Sequence, residues 1–288
     1  MIQAEHIQYR IRGKDILHPM TFSLPGGMLT VVLGPNGAGK STLLRILAGE
    51  LRETYNRIRI NGRLLEHFSP QEAALQRAVL TQHYSVNLPF SCEEIIMMGR
   101  YPHFRHAPAA PDMAIVRECM EETGVSAFAK RLFNTLSGGE QQRVQLTRVL
   151  TQLYPGTRKS SWRQKMLLLD EPTSSMDYPY QHRCMQLLRQ LARKGCTVVA
   201  VLHDLNLAAQ YADMILLLRD GHLLHDAAPA EVLQPHLVSL AYGMDIDVLH
   251  PDAYPFPLLL PALHDHSSIT QPVKTNHYAY PHQPLAER

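Results

Sequence analysis

The stretch of sequence that decides the fold is Gly34-Pro35-Asn36-Gly37-Ala38-Gly39-Lys40-Ser41, followed by Thr42. An apolar run at residues 29–33 precedes it and a helical pattern at 41–49 follows it, so it fits G-x-x-x-x-G-K-[ST] in the strand-to-helix context that this pattern requires. Its glycines let successive backbone N–H groups point inward, and the helix adds its positive end. A Gly-rich turn without a ligand is the alternative, but the complete octapeptide predicts a phosphate cradle.

Two carboxylates follow a second apolar run, at residues 166–169: Asp170 and Glu171. The C-terminal edge of a parallel strand opens onto the ligand crevice of such a sheet. There, Asp170 and the Ser41 hydroxyl would hold Mg²⁺, and the positively charged Lys40 side chain would contact the β- and γ-phosphates. Glu171 would face the γ-phosphate and orient or deprotonate the attacking water. The alternative is an acidic strand end or a helix cap without chemistry.

A third segment reads Leu136-Ser137-Gly138-Gly139-Glu140. Ser137 and Glu140 form an S-x-x-E capping box at a helix start, which is the plain reading of the segment. That reading leaves the two glycines unexplained, because glycine is a poor helix former. Glycines at a helix N-terminus expose N–H groups to an anion that comes very close. Since the phosphate cradle already holds one side of this chain's nucleotide, the segment predicts a site completed by a second copy.

The remaining pattern predicts an α/β fold: a mostly parallel sheet flanked by helices, preceded by short antiparallel strands. Apolar strands alternate with helical patterns at 182–194, 197–202, 205–211 and 214–218. Residues 84–135 interrupt this pattern and read as an inserted helical subdomain, with helices at 93–98 and 113–123. We expect a cassette domain at 1–262 with a loop insertion at 154–165, and a flexible tail rich in His and Pro at 263–288.

Composition excludes several classes of protein. The chain has 288 residues with 28 Lys plus Arg and 26 Asp plus Glu, a balance that gives no electrostatic footprint for nucleic acid. The four cysteines are irregularly spaced, as expected of reduced thiols in a cytosolic protein. No apolar run approaches the roughly 18 residues that a membrane span needs. If the protein works at a membrane, another polypeptide must supply the span.

The three motifs together, in this order, resemble those of the ATP-binding cassette (ABC) ATPases, a P-loop NTPase family, over about residues 2–230. The resemblance implies that Leu136 to Glu140 are the signature motif and that two cassettes enclose two Mg·ATP head to tail. It makes Gln82 the Q-loop residue that touches Mg²⁺, Asp177 part of the D-loop, and His203 the switch histidine at the γ-phosphate. Tyr9 is placed to stack on adenine. Glu171, His203 and Gln82 would then be the catalytic side chains.

Within this family the chain most resembles ATPases of haem (hemin) importers, among those for iron chelates and cobalamin. The residues that carry this resemblance are 88–91, 98–103 and the loop at 154–165. It implies a homodimer on a two-copy membrane permease, served by a periplasmic binding protein, at the cytoplasmic face of the bacterial inner membrane. No direct contact with cargo or nucleic acid is expected. An importer of iron-siderophore or cobalamin is the alternative.

Two other classes remain as rivals. One is a soluble cassette protein of translation or DNA repair, which would carry a second cassette or long insertions that this chain lacks. The other is a haem- or metal-binding protein with a degenerate cassette, suggested by paired histidines: His103 and His106, His222 and His225, His264 and His266. No cysteine or carboxylate cluster accompanies these pairs, so incidental surface histidines are the favoured reading.

Overall fold

The computed structural model of the chain describes residues 1–51, 57–82, 88–154 and 161–262. Within these residues, helices flank a central β-sheet. The strands are β1 (Ile2–Ile11), β2 (Lys14–Leu24), β3 (Leu29–Leu33), β4 (Ile58–Ile60), β5 (Arg63–Leu64), β6 (Arg77–Leu80), β7 (Met166–Asp170), β8 (Thr197–Val201), β9 (Met214–Arg219), β10 (His222–Ala227), β11 (Ile246–Leu249) and β12 (Leu258–Pro261). The helices are α1 (Lys40–Leu47), α2 (Pro70–Gln76), α3 (Cys92–Met97), α4 (Ala110–Glu122), α5 (Gly138–Leu153), α6 (Tyr178–Arg193), α7 (Leu205–Tyr211), α8 (Pro229–Val232) and α9 (Pro235–Tyr242).

The larger sheet has six strands in the order β10-β9-β3-β8-β7-β6. All neighbouring pairs from β9 to β6 are parallel, and only β10 is antiparallel to its neighbour. The carboxyl ends of five strands therefore meet at one edge. The predicted mostly parallel α/β sheet is confirmed.

The strands of this sheet are apolar on both sides because helices or a second sheet cover each face. Along β3 the side chains alternate: Val31 and Leu33 enter one apolar cluster, and Val32 enters another. Such two-sided burial explains why these strands read as continuous apolar runs rather than as alternating patterns.

A four-stranded antiparallel sheet, β2-β1-β4-β5, covers one face through residues that include Ile7, Leu17 and Ile58. This is the antiparallel part that the sequence predicted. It packs beside α1, and it brings the β1–β2 hairpin against the loop that precedes that helix.

The described part of the chain between β6 and β7 is largely helical and has an apolar cluster of its own, which includes Ile95, Val116 and Phe133. A buried ion pair adds to it: Arg100 Nε lies 3.0 Å from Asp112 Oδ1, and Arg100 Nη1 donates to the Thr151 carbonyl at 2.7 Å. Together these contacts support the inserted helical subdomain proposed at 84–135, although its bounds stay a prediction.

Two helices begin earlier than the sequence pattern predicted, for the same reason. α4 starts at Ala110 rather than 113, and α6 starts at Tyr178 rather than 182. Each has a proline in its first turn, Pro111 and Pro179. The first N–H groups of a helix have no intrahelical acceptor, so proline costs nothing there and does not mark a helix end.

The chain after β10 was not predicted in detail. It forms α8, α9 and the two-stranded hairpin β11–β12. The predicted tail at 263–288 lies outside the described residues, as do residues 155–160 of the proposed loop insertion at 154–165. At the edges of that loop, the rings of Tyr154 and Trp162 meet edge to face with centroids 5.8 Å apart. None of the helices that the structure describes is both long and apolar enough to cross a bilayer.

Candidate active site

The phosphate cradle follows β3 directly and curls through residues 34–39. Gly37 and Gly39 have φ of 82° and 95°, values in the left-handed region that favours glycine. A Cβ on Gly39 would lie 2.4 Å from the Leu17 side chain, so that position is closed to any larger residue. At Gly37 a Cβ would meet nothing within 4 Å, which leaves the mouth of the loop open to a ligand.

Lys40 lies buried beneath this loop rather than extended from it. Its Nζ donates to the Gly34 carbonyl at 2.7 Å and to the Pro35 carbonyl at 2.9 Å. Burial lowers the pKa of Lys40, and the nearby carboxylates Glu171 and Asp170 oppose that shift. The Lys40 ammonium thus donates to two backbone carbonyl oxygens, and it would donate to phosphate oxygens instead if a nucleotide bound.

Asp170, the last residue of β7, presents a carboxylate into the same space. It accepts a hydrogen bond from Ser41, while its Oδ1 is buried without a protein partner. Burial raises the pKa of Asp170, and repulsion from Glu171 adds to the rise. A buried carboxylate oxygen without a donor is costly unless a cation or water occupies its free side. Asp170 and Ser41 therefore fit a hard divalent cation such as Mg²⁺.

Glu171 is held between two side chains from other strand ends. Gln82 Nε2 donates to Glu171 Oε2 at 2.9 Å, and His203 Nε2 lies 2.5 Å from Glu171 Oε1. The backbone of Glu171 has φ of 51°, which is strained for a residue with a side chain. Gln82 follows β6, Glu171 follows β7 and His203 follows β8, so the parallel sheet brings all three together.

The signature segment caps α5. Ser137 accepts from the Glu140 N–H at 3.3 Å, and Glu140 accepts from the Ser137 N–H at 2.8 Å, which completes the predicted capping box. Leu136 is buried, whereas Ser137 and Gly138 are exposed.

The cleft at this helix start has no contribution from the phosphate cradle. The described residues that line it are Ser137, Gly138, Gly139, Glu140, Arg143, Ser175, Met176, Asp177 and Tyr180. Asp177 lies here as the N-cap residue of α6, and its side chain is exposed and makes no capping bond. The helix start of α5 and the phosphate cradle therefore do not share this cleft within one chain.

Gln142 is a site residue that the sequence analysis missed. Its Nε2 donates to the Glu171 carbonyl at 2.6 Å, and its Oε1 accepts from the Ser175 N–H at 3.0 Å. One amide thereby joins the signature helix to the Glu171 backbone and to the turn before α6. A glutamine in a polar helix start gives no signal of such a role in the sequence.

Tyr9, the predicted adenine partner, is half-buried on β1 opposite Leu17. Leu17 in turn abuts Gly39. The β1–β2 hairpin thus lies beside the phosphate cradle, but stacking of Tyr9 on a base stays a prediction.

The paired histidines do not form a metal cluster in the described part of the chain, where no three His, Cys, Asp or Glu side chains group suitably for a metal ion. His103 Nε2 lies 2.8 Å from the Gln152 carbonyl, and burial lowers the His103 pKa. His222 stacks on His18 with ring centroids 3.8 Å apart. His264 and His266 lie outside the described residues.

Comparison with known proteins identifies the family. The family model described as ABC transporter matches residues 17–174. A protein of Gloeobacter violaceus named "Hemin import ATP-binding protein HmuV" is 44% identical over 273 residues, which cover 94% of this chain and 97% of the relative. Proteins of the same name from Rhodopseudomonas palustris and Deinococcus radiodurans are 46% and 41% identical, each over 91% of this chain and 97% of the relative.

Solved structures agree on the fold. An inward-facing ABC transporter of metal-chelate type matches with a TM-score of 0.75 at 24% identity, over 91% of this chain and 97% of that one. A dimeric bacterial ABC transporter cassette matches with a TM-score of 0.67 at 24% identity, over 80% of this chain and 99% of that one. With its phosphate cradle, its carboxylates at the end of β7 and its signature turn on one α/β scaffold, this chain belongs to the ABC transporter family of ATP-binding proteins.

Proposed function

We propose that this chain is the ATPase subunit of an importer of haem, and that it works as a homodimer on a separate membrane permease. The observation that carries the ATPase part is the edge of the central sheet. There, four neighbouring parallel strands end in the phosphate cradle, His203, the Asp170–Glu171 pair and Gln82. Residues from distant parts of the chain converge where a nucleotide would lie.

Nucleotide binding rests on the cradle. Its N–H groups and the start of α1 receive the phosphates, and Lys40 turns from the Gly34 and Pro35 carbonyls to the β- and γ-phosphates. Asp170 and Ser41 would hold the metal ion, with Gln82 as a further ligand. Mg²⁺, when bound, neutralises phosphate charge that builds up during transfer.

Hydrolysis rests on Glu171. Its carboxylate orients the attacking water and accepts a proton from it, through a lone pair that remains beside the contact with Gln82 or with His203. An ionised carboxylate only accepts hydrogen bonds, so His203 carries its hydrogen on Nε2 in this arrangement. When Glu171 turns to the water, that N–H is free to donate to the γ-phosphate.

The second half of the site comes from another copy. The helix start at Ser137 and Gly138 is exposed, and the cleft it borders is lined by Asp177 and not by the phosphate cradle of its own chain. Two chains packed head to tail place each signature turn on the other's γ-phosphate. Since each nucleotide then touches both chains only in the closed dimer, ATP favours closure through its differential affinity for that state.

The proposed cargo, haem, and the proposed location at the inner membrane are based on similarity to known proteins. The relatives named for hemin import share 40% or more of their residues with this chain over about nine-tenths of its length. The helical region between β6 and β7 would dock a cytoplasmic helix of a two-copy permease, to which a periplasmic binding protein delivers haem. The ATPase would then sit peripherally on the inner membrane. An importer of iron-siderophore or cobalamin is the second candidate.

The test is deletion of the gene in its own host, with growth measured on hemin, a ferric siderophore or cobalamin as the limiting nutrient. We expect loss of growth on hemin alone, restored by the wild-type gene and not by a Glu171→Gln variant. Loss of growth on a siderophore or cobalamin instead would overturn the haem assignment. Unchanged growth on all three would overturn the import function itself.

A further inference from the structure

The chain from α9 to the end of β12, residues 235–261, lies beyond the part matched by the family model, which ends at residue 174. It is nevertheless in direct polar contact with two loops of the proposed ATP site. One contact reaches the first residue of the phosphate cradle, and the other reaches the helix start that follows His203.

The first contact is made by Tyr242, the last residue of α9. Its hydroxyl oxygen accepts a hydrogen bond from the Gly34 N–H at 3.1 Å, across 208 residues of sequence. Gly34 is packed closely against β9, because a Cβ there would lie 2.2 Å from the Leu218 carbonyl oxygen and no larger residue fits. Arg219 also donates to the Leu240 carbonyl, which fixes α9 to the end of β9.

Burial raises the Tyr242 pKa to about 12, so this hydroxyl stays neutral at all physiological pH values. Without it, the Gly34 N–H would have to find another acceptor at the base of the cradle. An unpaired backbone N–H in a buried position is unfavourable. The hydroxyl thus holds the cradle in one conformation before a nucleotide arrives.

The second contact is made by the hairpin. Asn206 Nδ2 donates to the Leu259 carbonyl at 3.1 Å, and Asn206 Oδ1 accepts from the Leu259 N–H at 2.8 Å. The amide pairs with β12 as a neighbouring strand would. Asn206 is the second residue of α7, whose N-cap is Asp204, the residue directly after His203. The hairpin therefore fixes the helix start on which His203 depends for its approach to Glu171.

We infer that the segment 235–261 positions the ATP site, with Tyr242 setting the phosphate cradle for nucleotide binding and Asn206, held by Leu259, setting His203 for hydrolysis. This inference rests on the proposed ATP site. Tyr242 and Asn206 are positioning residues, since each would act through another residue, Gly34 or His203. Their effects should separate, because one acts on the loop that binds and the other on a residue that acts during hydrolysis.

Tyr242→Phe removes a single oxygen and tests the first contact. In the full-length protein we expect ATP affinity to fall roughly 2- to 10-fold, the range of one hydrogen bond, with kcat unchanged. Tyr211→Phe is the matched control. Tyr211 is buried, and its hydroxyl lies 2.8 Å from His182 Nδ1, at the far end of α7 from His203. It should lower thermal stability without changing ATP affinity or kcat.

Asn206→Ala tests the second contact. We expect kcat to fall, by up to about 100-fold if His203 is displaced by an ångström, while ATP affinity stays at the wild-type value. Asn206→Asp keeps the acceptor for the Leu259 N–H and loses the donor, so its kcat should lie between those of wild type and Asn206→Ala. Asn206→Asp also tests the second contact if the Asn206→Ala variant does not fold.

Either variant behaving like Tyr211→Phe in both affinity and kcat overturns the inference. Lys40→Ala separates this failure from failure of the proposed site. If Lys40→Ala loses ATP binding while Tyr242→Phe and Asn206→Ala match the control, only the positioning role is wrong. If Lys40→Ala binds ATP normally, the assignment of the site itself is wrong.

Discussion

The two glycines of the signature turn are expected to respond differently to the same added methyl group. A Cβ on Gly139 would lie 2.6 Å from the Ser175 carbonyl oxygen, well inside van der Waals contact with a backbone atom. A Cβ on Gly138 would meet only the Ser175 Cβ, at 3.8 Å, which is ordinary contact. The single chain therefore tolerates alanine at position 138 and not at 139.

The magnitudes follow from these distances. Overpacking of the kind that Gly139→Ala creates costs about 1–3 kcal/mol, which lowers Tm by roughly 2–12 °C in a domain of this size. Gly138→Ala should leave Tm unchanged or raise it slightly, because its backbone is compatible with alanine. Its methyl group would nevertheless stand between the exposed helix start and the partner's γ-phosphate. Loss of such preorganised N–H donors lowers turnover about 100-fold or more.

The assay compares both variants with wild type in three measurements: thermal unfolding without nucleotide, ATP binding at low protein concentration, and steady-state hydrolysis. Gly138→Ala should unfold and bind ATP as wild type does and fail only in hydrolysis. If it hydrolyses ATP at the wild-type rate, no phosphate approaches that turn and the two-copy site is refuted. An unchanged Tm for Gly139→Ala would refute the packing argument.

Five further perturbations test the site. Glu171→Gln should bind ATP, lose about 100- to 10,000-fold in turnover and accumulate as an ATP-bound dimer in size-exclusion chromatography; a monomer would contradict the paired arrangement. Lys40→Ala should abolish nucleotide binding, and titration calorimetry showing wild-type affinity would contradict the cradle. His203→Ala should retain binding and hydrolyse slowly, whereas unchanged turnover would make this histidine structural. Chelation of Mg²⁺ should stop hydrolysis, and Asp170→Asn should raise the Mg²⁺ concentration needed for half-maximal rate; an unshifted requirement would remove Asp170 from the metal site.

The site residues at the strand ends could be predicted because each belongs to a short sequence motif. A phosphate cradle needs particular residues at fixed spacing, and the buried run before Asp170 reads as a strand on its own. The sequence thereby predicted the α/β sheet, the order of its motifs and the residues that the sheet edge brings together. The family membership expected from those motifs is confirmed.

What could not be predicted depends on contacts between distant segments. The bond between Gly34 and Tyr242 spans 208 residues, and nothing in the local pattern around Tyr242 indicates it. Gln142 likewise gains its role only when α5 meets the end of β7. The sequence placed the starts of α4 and α6 too late, at 113 and 182. Proline interrupts a periodic apolar pattern, although it is well suited to the first turn of a helix.

The contacts of Glu171 have a consequence for geometry. Oε2 accepts one bond from Gln82 and Oε1 contacts His203, and each oxygen keeps a further lone pair that a water molecule could use. The direction of those lone pairs is set by side chains at the ends of β6 and β8. A shift of either strand end would re-aim the carboxylate, so the proposed water position depends on three neighbouring strands rather than on Glu171 alone.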